Sequence, residues 1–94
     1  MIRLSVLYPT TDGAEFDHTY YQESHVPLLV ATWNPVRTEI DRGVSGPYVA
    51  AVHAWWNSTD DMNAALASEG TGALMLDVAN YTTITSILQI SDVV

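Results

Sequence analysis

The sequence predicts an α+β fold of ferredoxin-like topology, βαββαβ, with a four-stranded antiparallel sheet and two helices on one face. Three observations carry this prediction. Strand-like segments and stretches of helical spacing follow one another in that order. Two of the strand segments alternate between apolar and polar residues. A third, YVAAVHAWW, is apolar on both faces, as suits a central strand.

Ile2 to Tyr8 alternates, with Ile2, Leu4, Val6 and Tyr8 on one side and Arg3, Ser5 and Leu7 on the other; Pro9 ends the strand and TTDG follows as a turn. A helix is expected from about Glu15 to Thr32, with Asp12 or Asp17 as N-cap and Trp33-Asn34-Pro35 as its stop. Val36 to Arg42 alternates again. Its polar face, Arg37, Glu39 and Asp41, predicts an edge strand. After the GVSGP loop, Tyr48 to Trp56 forms the third strand. Ser58-Thr-Asp-Asp61 resembles a capping box, with aspartate where glutamate is usual, and opens a helix to about Ser68 that GTG breaks. ALMLDVANY reads either as a short helix or as irregular chain. Ile84 to Ile90 is the last strand.

The 94 residues suffice for one domain, 1–94, with no repeat or linker. A chain of this size buries only about two thirds of its unfolded surface, so the core is modest. The absence of cysteine excludes disulfides, thiolate metal sites and a cysteine nucleophile. A disulfide-free small domain with no signal-like segment points to the cytoplasm, and no apolar run is long enough to span a bilayer. The net charge is -8, with three arginines and no lysine. Nucleic acid and anionic membrane surfaces are therefore poor partners.

The third strand predicts a partner of another kind. In this topology strands one and three lie in the middle of the sheet. Val49, Ala51, His53 and Trp55 face one side, while Tyr48, Ala50, Val52, Ala54 and Trp56 face the other. The chain's own helices cover one side only. A tryptophan on the bare side would make a sticky patch, and the simplest cover is a second copy of the sheet, hence a homodimer. The plainer alternative is one tryptophan left partly exposed.

Several pieces together resemble the EthD family: a first strand ending in Tyr8-Pro9, then Phe16-Asp17, Tyr20-Tyr21 and His25 with Pro27-Leu28, then Trp56-Asn57-Ser58, then Asp77-Val-Ala-Asn80-Tyr-Thr. The resemblance covers nearly the whole chain, and the cluster on the first helix is its most specific part. It implies the dimeric α+β barrel fold, in which two four-stranded sheets pack face to face. The family is named for a protein needed, beside an oxygenase system, for bacterial breakdown of ethyl tert-butyl ether. Related barrels include lactone isomerases, polyketide cyclases and small monooxygenases, so the fold alone does not set the reaction.

The first helix holds the candidate chemistry. Asp17, Tyr21 and His25 lie four apart and stack on one side of a regular helix. At 100° per residue the buried stripe is Phe16, Tyr20, Ser24, Pro27, Leu28 and Ala31. Tyr21 then lies at its rim and His25 just beyond it. Pro27 cannot donate to the Glu23 carbonyl and crowds it, so a kink is expected there. Leu28, Leu29 and Val30 are apolar all round and should bury the second half of the helix. A kink would tip His25 toward a cavity between helix and sheet, with Tyr21 hydrogen-bonded to His25 or to a ligand. A histidine beside a hydroxyl can move a proton near neutral pH.

His25 and Tyr21 are thus the candidate catalytic pair. A lone histidine at a helix boundary also reads as a satisfied structural residue, and Asp17 as an N-cap rather than an acid partner. His53 and Trp55 share a face and either line a cavity or are buried. Tyr8 and Tyr81 are candidates to close its two ends, or are plain core.

No metal motif occurs. His18 and His25 are separated by about 10.5 Å of helical rise, too far for one ion. No G-x-S-x-G is present, so a serine triad lacks support; no G-x-G-x-x-G or Walker loop is present, so nucleotide cofactors have no sequence warrant. Haem-degrading barrels share the architecture, but no residue pattern points to haem, and no cofactor is expected. Two functions follow. One is a cofactor-free isomerase-, cyclase- or lyase-like enzyme acting on a hydrophobic oxygen-containing metabolite in a catabolic or polyketide-type pathway. The other is a non-catalytic module that binds such a compound for an oxygenase.

Overall fold

A computed structural model describes all 94 residues. Along the chain come β1 (Ile2–Pro9), α1 (His18–Tyr20), a π-helical turn (Tyr21–His25) and α2 (Val26–Trp33). There follow β2 (Arg37–Arg42), β3 (Tyr48–Trp56), α3 (Thr59–Leu66), α4 (Thr71–Asp77), a 3-10 turn (Val78–Asn80) and β4 (Ile87–Asp92). The four strands form one antiparallel sheet in the order β2-β3-β1-β4. The central places of β1 and β3 and the edge place of β2 are those the alternation predicts.

Alternation sets the two faces of the sheet. Leu4, Tyr8, Val52, Ala54 and Trp56 point toward the helices and form the core with Leu29, Trp33 and Leu74. The pairs Ser5–His53 and Arg3–Trp55 point the other way. The bare side is not the apolar patch expected. Arg3 and Arg37 lie over the Trp55 ring, with guanidinium carbons 6.0 and 4.8 Å from its centroid, and leave that residue 8% exposed.

The cap signals hold, but of the expected GTG break only Gly70 lies outside helix: α3 ends at Leu66, and Thr71 and Gly72 already belong to α4. Ser58 Oγ accepts from the Asp61 amide and starts α3. Asn34, at φ 46°, closes α2 in the left-handed region, and Pro35 follows. ALMLDVANY is helical, as α4 and the 3-10 turn. Gly70 lies at the break between α3 and α4 for a steric reason: a Cβ there would stand 2.9 Å from Thr32 Cγ2. The last strand starts later than expected. Ile84 turns into the core, and pairing with β1 begins only at Ile87.

The first helix departs most from its expected form. Its buried residues are Tyr21, His25, Val26, Leu29 and Trp33, while Ser24, Pro27, Leu28 and Ala31 are exposed. The expected stripe is therefore rotated, and the second half is buried on one side only. The cause lies in the π turn. The Val26 amide donates to the Tyr21 carbonyl, five residues back. In a regular α turn the Pro27 ring would press on the Glu23 carbonyl. The wider turn relieves that crowding, so a bulge stands where a kink was expected. It also shifts the phase of the helix and carries His25 from the boundary to 3% exposure.

Candidate functional site

Between the helices and the sheet lies a cavity of about 210 Å3. Twelve of its fifteen lining residues are apolar, among them Leu4, Val6, Leu29, Leu74 and Val78; His25, Thr71 and Ser86 are the polar ones. The lining residues Met75, Leu88 and Ile90 are 51–62% exposed, so the cavity opens between α4 and β4. None of the three arginines lines it.

His25 is packed by two tyrosine rings and held at one nitrogen. Tyr21 stacks on it, with centroids 5.6 Å apart and planes 13° apart, and Tyr81 packs at 4.6 Å. Nδ1 lies 2.9 Å from Asp77 Oδ2. A carboxylate only accepts, so Nδ1 carries the proton and donates. The other oxygen, Oδ1, accepts from the Tyr20 hydroxyl at 2.7 Å and from the Asn80 amide at 3.0 Å. The carboxylate is thus fixed, with Oδ2 aimed at the imidazole. Nε2 makes no hydrogen bond within the chain, and His25 forms part of the cavity wall.

The electrostatics follow from this geometry. Burial lowers the pKa of His25, and the hydrogen bond and charge of Asp77 only partly oppose it. The neutral Nδ1–H form is favoured at pH 7, with a lone pair on Nε2. Asp77 is held below the usual carboxylate value, first by the Tyr20 hydrogen bond and then by His25 and Asn80. The arrangement is an oriented general base on an apolar cavity.

Three tyrosines converge beside it. The Tyr8 and Tyr81 hydroxyls are 2.5 Å apart. The Tyr21 hydroxyl is buried near them and perturbs them electrostatically, yet makes no hydrogen bond of ordinary geometry. Burial raises the pKa of all three, so they stay protonated. The expected hydrogen bond from Tyr21 to His25 is replaced by the ring stack, because side chains four apart on this turn lie parallel. Backbone pairing places Tyr81 there: the Asp17 amide donates to the Tyr81 carbonyl, and Phe16 bridges to Thr82.

Tyr8, Tyr21, His25 and Tyr81 are therefore brought together, but Tyr8 and Tyr81 meet at one place instead of closing two ends: Tyr8 and His25 line the cavity, while Tyr81 borders the open surface groove. Asp17, His53 and Trp55 are not. Asp17 is the N-cap, accepting from the Tyr20 amide at 3.0 Å, and borders an open surface groove outside the cavity. His53 and Trp55 lie on the opposite face of the sheet. There His53 Nδ1 is 2.7 Å from Ser5 Oγ, and its Nε2 is 2.8 Å from Asp41 Oδ2. No group of three or more His, Asp, Glu or Cys side chains is placed to hold a metal ion.

Asp77, with Tyr20 and Asn80, is the partner that sequence reasoning missed. A signal was present: Asp77 is the one charge in ALMLDVANY, and a carboxylate among apolar residues needs donors.

The chain matches no protein-family model and no curated protein. Solved structures do match. An EthD-like protein from Ralstonia eutropha JMP134 is 34% identical over 99% of this chain and 91% of that one, with a TM-score of 0.91. An ethyl tert-butyl ether D family protein from Bacillus halodurans C-125 is 17% identical, covers 100% of this chain and 99% of its own, and has a TM-score of 0.74. A cofactor-independent oxygenase from Streptomyces nogalater, SnoaB, is 15% identical over 99% of this chain and 92% of that one, with a TM-score of 0.75.

Proposed function

This chain belongs to the EthD-like family, with the fold of the dimeric α+β barrels, and from that premise we propose that it is a cofactor-free proton-transfer enzyme. Its substrate is a small, apolar, oxygen-containing compound with an acidic C–H. The observation that carries the reading is His25: Nδ1–H is committed to Asp77, and Nε2 is left without a partner on the wall of an apolar cavity.

Nε2 takes a proton from the carbon beside a carbonyl. The C–H pair becomes the C=C bond of the enolate, and the carbonyl π pair moves to oxygen. The imidazolium so formed is stabilised by Asp77 and then returns a proton to carbon. A base placed in this way contributes about 10²–10⁴-fold to such a step. The similarity of fold to a cofactor-independent oxygenase supports chemistry carried by side chains alone.

The proposal includes a cytoplasmic homodimer joined through the bare face of the sheet, where Trp55 and the Ser5–His53–Asp41 chain lie. That no helix is long and apolar enough to cross a membrane is consistent with it. The test uses 2-tetralone in D2O, followed by NMR. Wild-type protein should speed deuterium incorporation beside the carbonyl above the buffer rate, and His25→Asn should not. Binding of 2-tetralone with no exchange in either protein would favour the accessory-module reading instead.

A further inference from the structure

Proton abstraction beside a carbonyl puts negative charge on the carbonyl oxygen. In an apolar cavity with no arginine in its wall, that charge needs a hydrogen-bond donor. The cavity side chains differ in what they have left to give. The Tyr8 hydroxyl is paired with Tyr81. Thr71 Oγ1 accepts from Trp33 Nε1 at 2.9 Å and lies 3.3 Å from Ser68 Oγ. Ser86 lines the cavity and has no hydrogen-bond partner in the chain. Among the cavity hydroxyls it is the one with no partner in the chain, so both its proton and its lone pairs are open to a ligand.

Its position suits the task. β4 pairs with β1 through Leu4–Ile90, Val6–Leu88 and Leu7–Ile87. Leu88 and Ile90 line the cavity together with Leu4 and Val6. One further step of alternation puts Ser86 on the same face, beside Tyr8. Tyr8 is joined by its hydroxyl to Tyr81, whose ring packs on His25. Ser86 and His25 thus line the same cavity, with Tyr8 also in its wall.

We propose that Ser86 is the oxyanion donor of this site: His25 Nε2 takes the proton, and Ser86 Oγ–H donates to the oxygen that gains the electron pair. The proposal rests on the reading of His25 as general base. It also narrows the substrate to neutral ketones or similar carbonyl compounds. A carboxylate or phosphate group would enter a cavity that holds no cation and lies beside Asp77.

The experiment is deuterium exchange of 2-tetralone by wild type, Ser86→Ala, Ser86→Thr and His25→Asn. Ser86→Ala should lower kcat for exchange by about 10²-fold with KM little changed, as loss of one oxyanion donor does. Ser86→Thr, which keeps the hydroxyl, should restore most of the rate. Equal kcat in Ser86→Ala and wild type, with His25→Asn inactive, overturns the Ser86 role alone. Exchange that survives His25→Asn, or is missing from wild type, overturns the base assignment and the Ser86 role with it. A rate lost equally in Ser86→Ala and Ser86→Thr also contradicts a role for the hydroxyl.

Discussion

Two histidine–aspartate pairs lie on opposite faces of the same sheet, and their lengths are nearly equal. His25–Asp77 spans 2.9 Å and His53–Asp41 spans 2.8 Å. Their surroundings differ in every other respect. The His25 side chain is 4% exposed and its aspartate 15%; for the other pair the figures are 20% and 60%. Asp77 is fixed by Tyr20 and Asn80 as well. Both nitrogens of His53 are engaged, by Ser5 and Asp41, whereas His25 keeps one free beside a cavity. A histidine–carboxylate contact is therefore not a site in itself. The unfilled nitrogen, and the space in front of it, are what distinguish the candidate base from a tie between strands.

Mutation of the two histidines should separate the pairs most widely. His25→Asn keeps a donor toward Asp77 but has no base, and should cost about 10²–10⁴-fold in 2-tetralone exchange. His53→Asn should leave the rate per folded chain unchanged. A comparable loss from both would erase the distinction.

The aspartates should differ next. Asp77→Asn no longer enforces the Nδ1–H tautomer, so kcat should fall by about 10²-fold or more with KM little altered. Asp41→Asn should not affect exchange. A pH profile of each variant checks the assignment, because only Asp77→Asn should change the acid limb.

Acid should then weaken the buried pair. Burial makes His25 harder to protonate in the folded chain than in the unfolded one. The unfolded chain therefore gains protons first as pH falls. The contribution of His25 to stability is complete above about pH 6.5 and is lost as pH drops through its lowered folded value. Asp77, held below its ordinary 3.8, acts in the same direction at lower pH. The thermal midpoint should fall between pH 7 and 5, and fall less in His25→Asn. The exchange rate should share that acid limb.

Tyr20→Phe should have the smallest effect. It removes one of two donors to Asp77 Oδ1 and leaves Asn80 in place. A loss of a few-fold in kcat is expected, with the acid limb moved slightly. Paired measurement against Asp77→Asn would show whether the two act through one carboxylate, since their effects should then not add.

Much of this was legible in the sequence. Polarity alternation in β1 and β2, the doubly apolar β3 and the Ser58 cap mark the elements, because each is a local pattern, and their order spells out the topology from which the strand order follows. His25 was singled out, but for a reason the structure revises. On a regular helix it is a boundary residue. Only the π turn before Pro27 brings it inside, and a bulge of one residue leaves no trace in a 100° wheel. The pairing of His25 with Asp77 joins residues 52 apart, and no local pattern encodes it. His53 and Trp55 share a face as predicted, yet which face the helices cover is decided by the whole topology.

The central claim concerns one proton on one ring. Long-range 1H–15N correlation of the His25 imidazole at pH 7, followed by titration, tests it most directly. The account predicts a neutral ring protonated at Nδ1, an unprotonated Nε2, and a titration midpoint below about 6.5 that moves when 2-tetralone binds. A ring protonated at Nε2, or an imidazolium at pH 7, would contradict it.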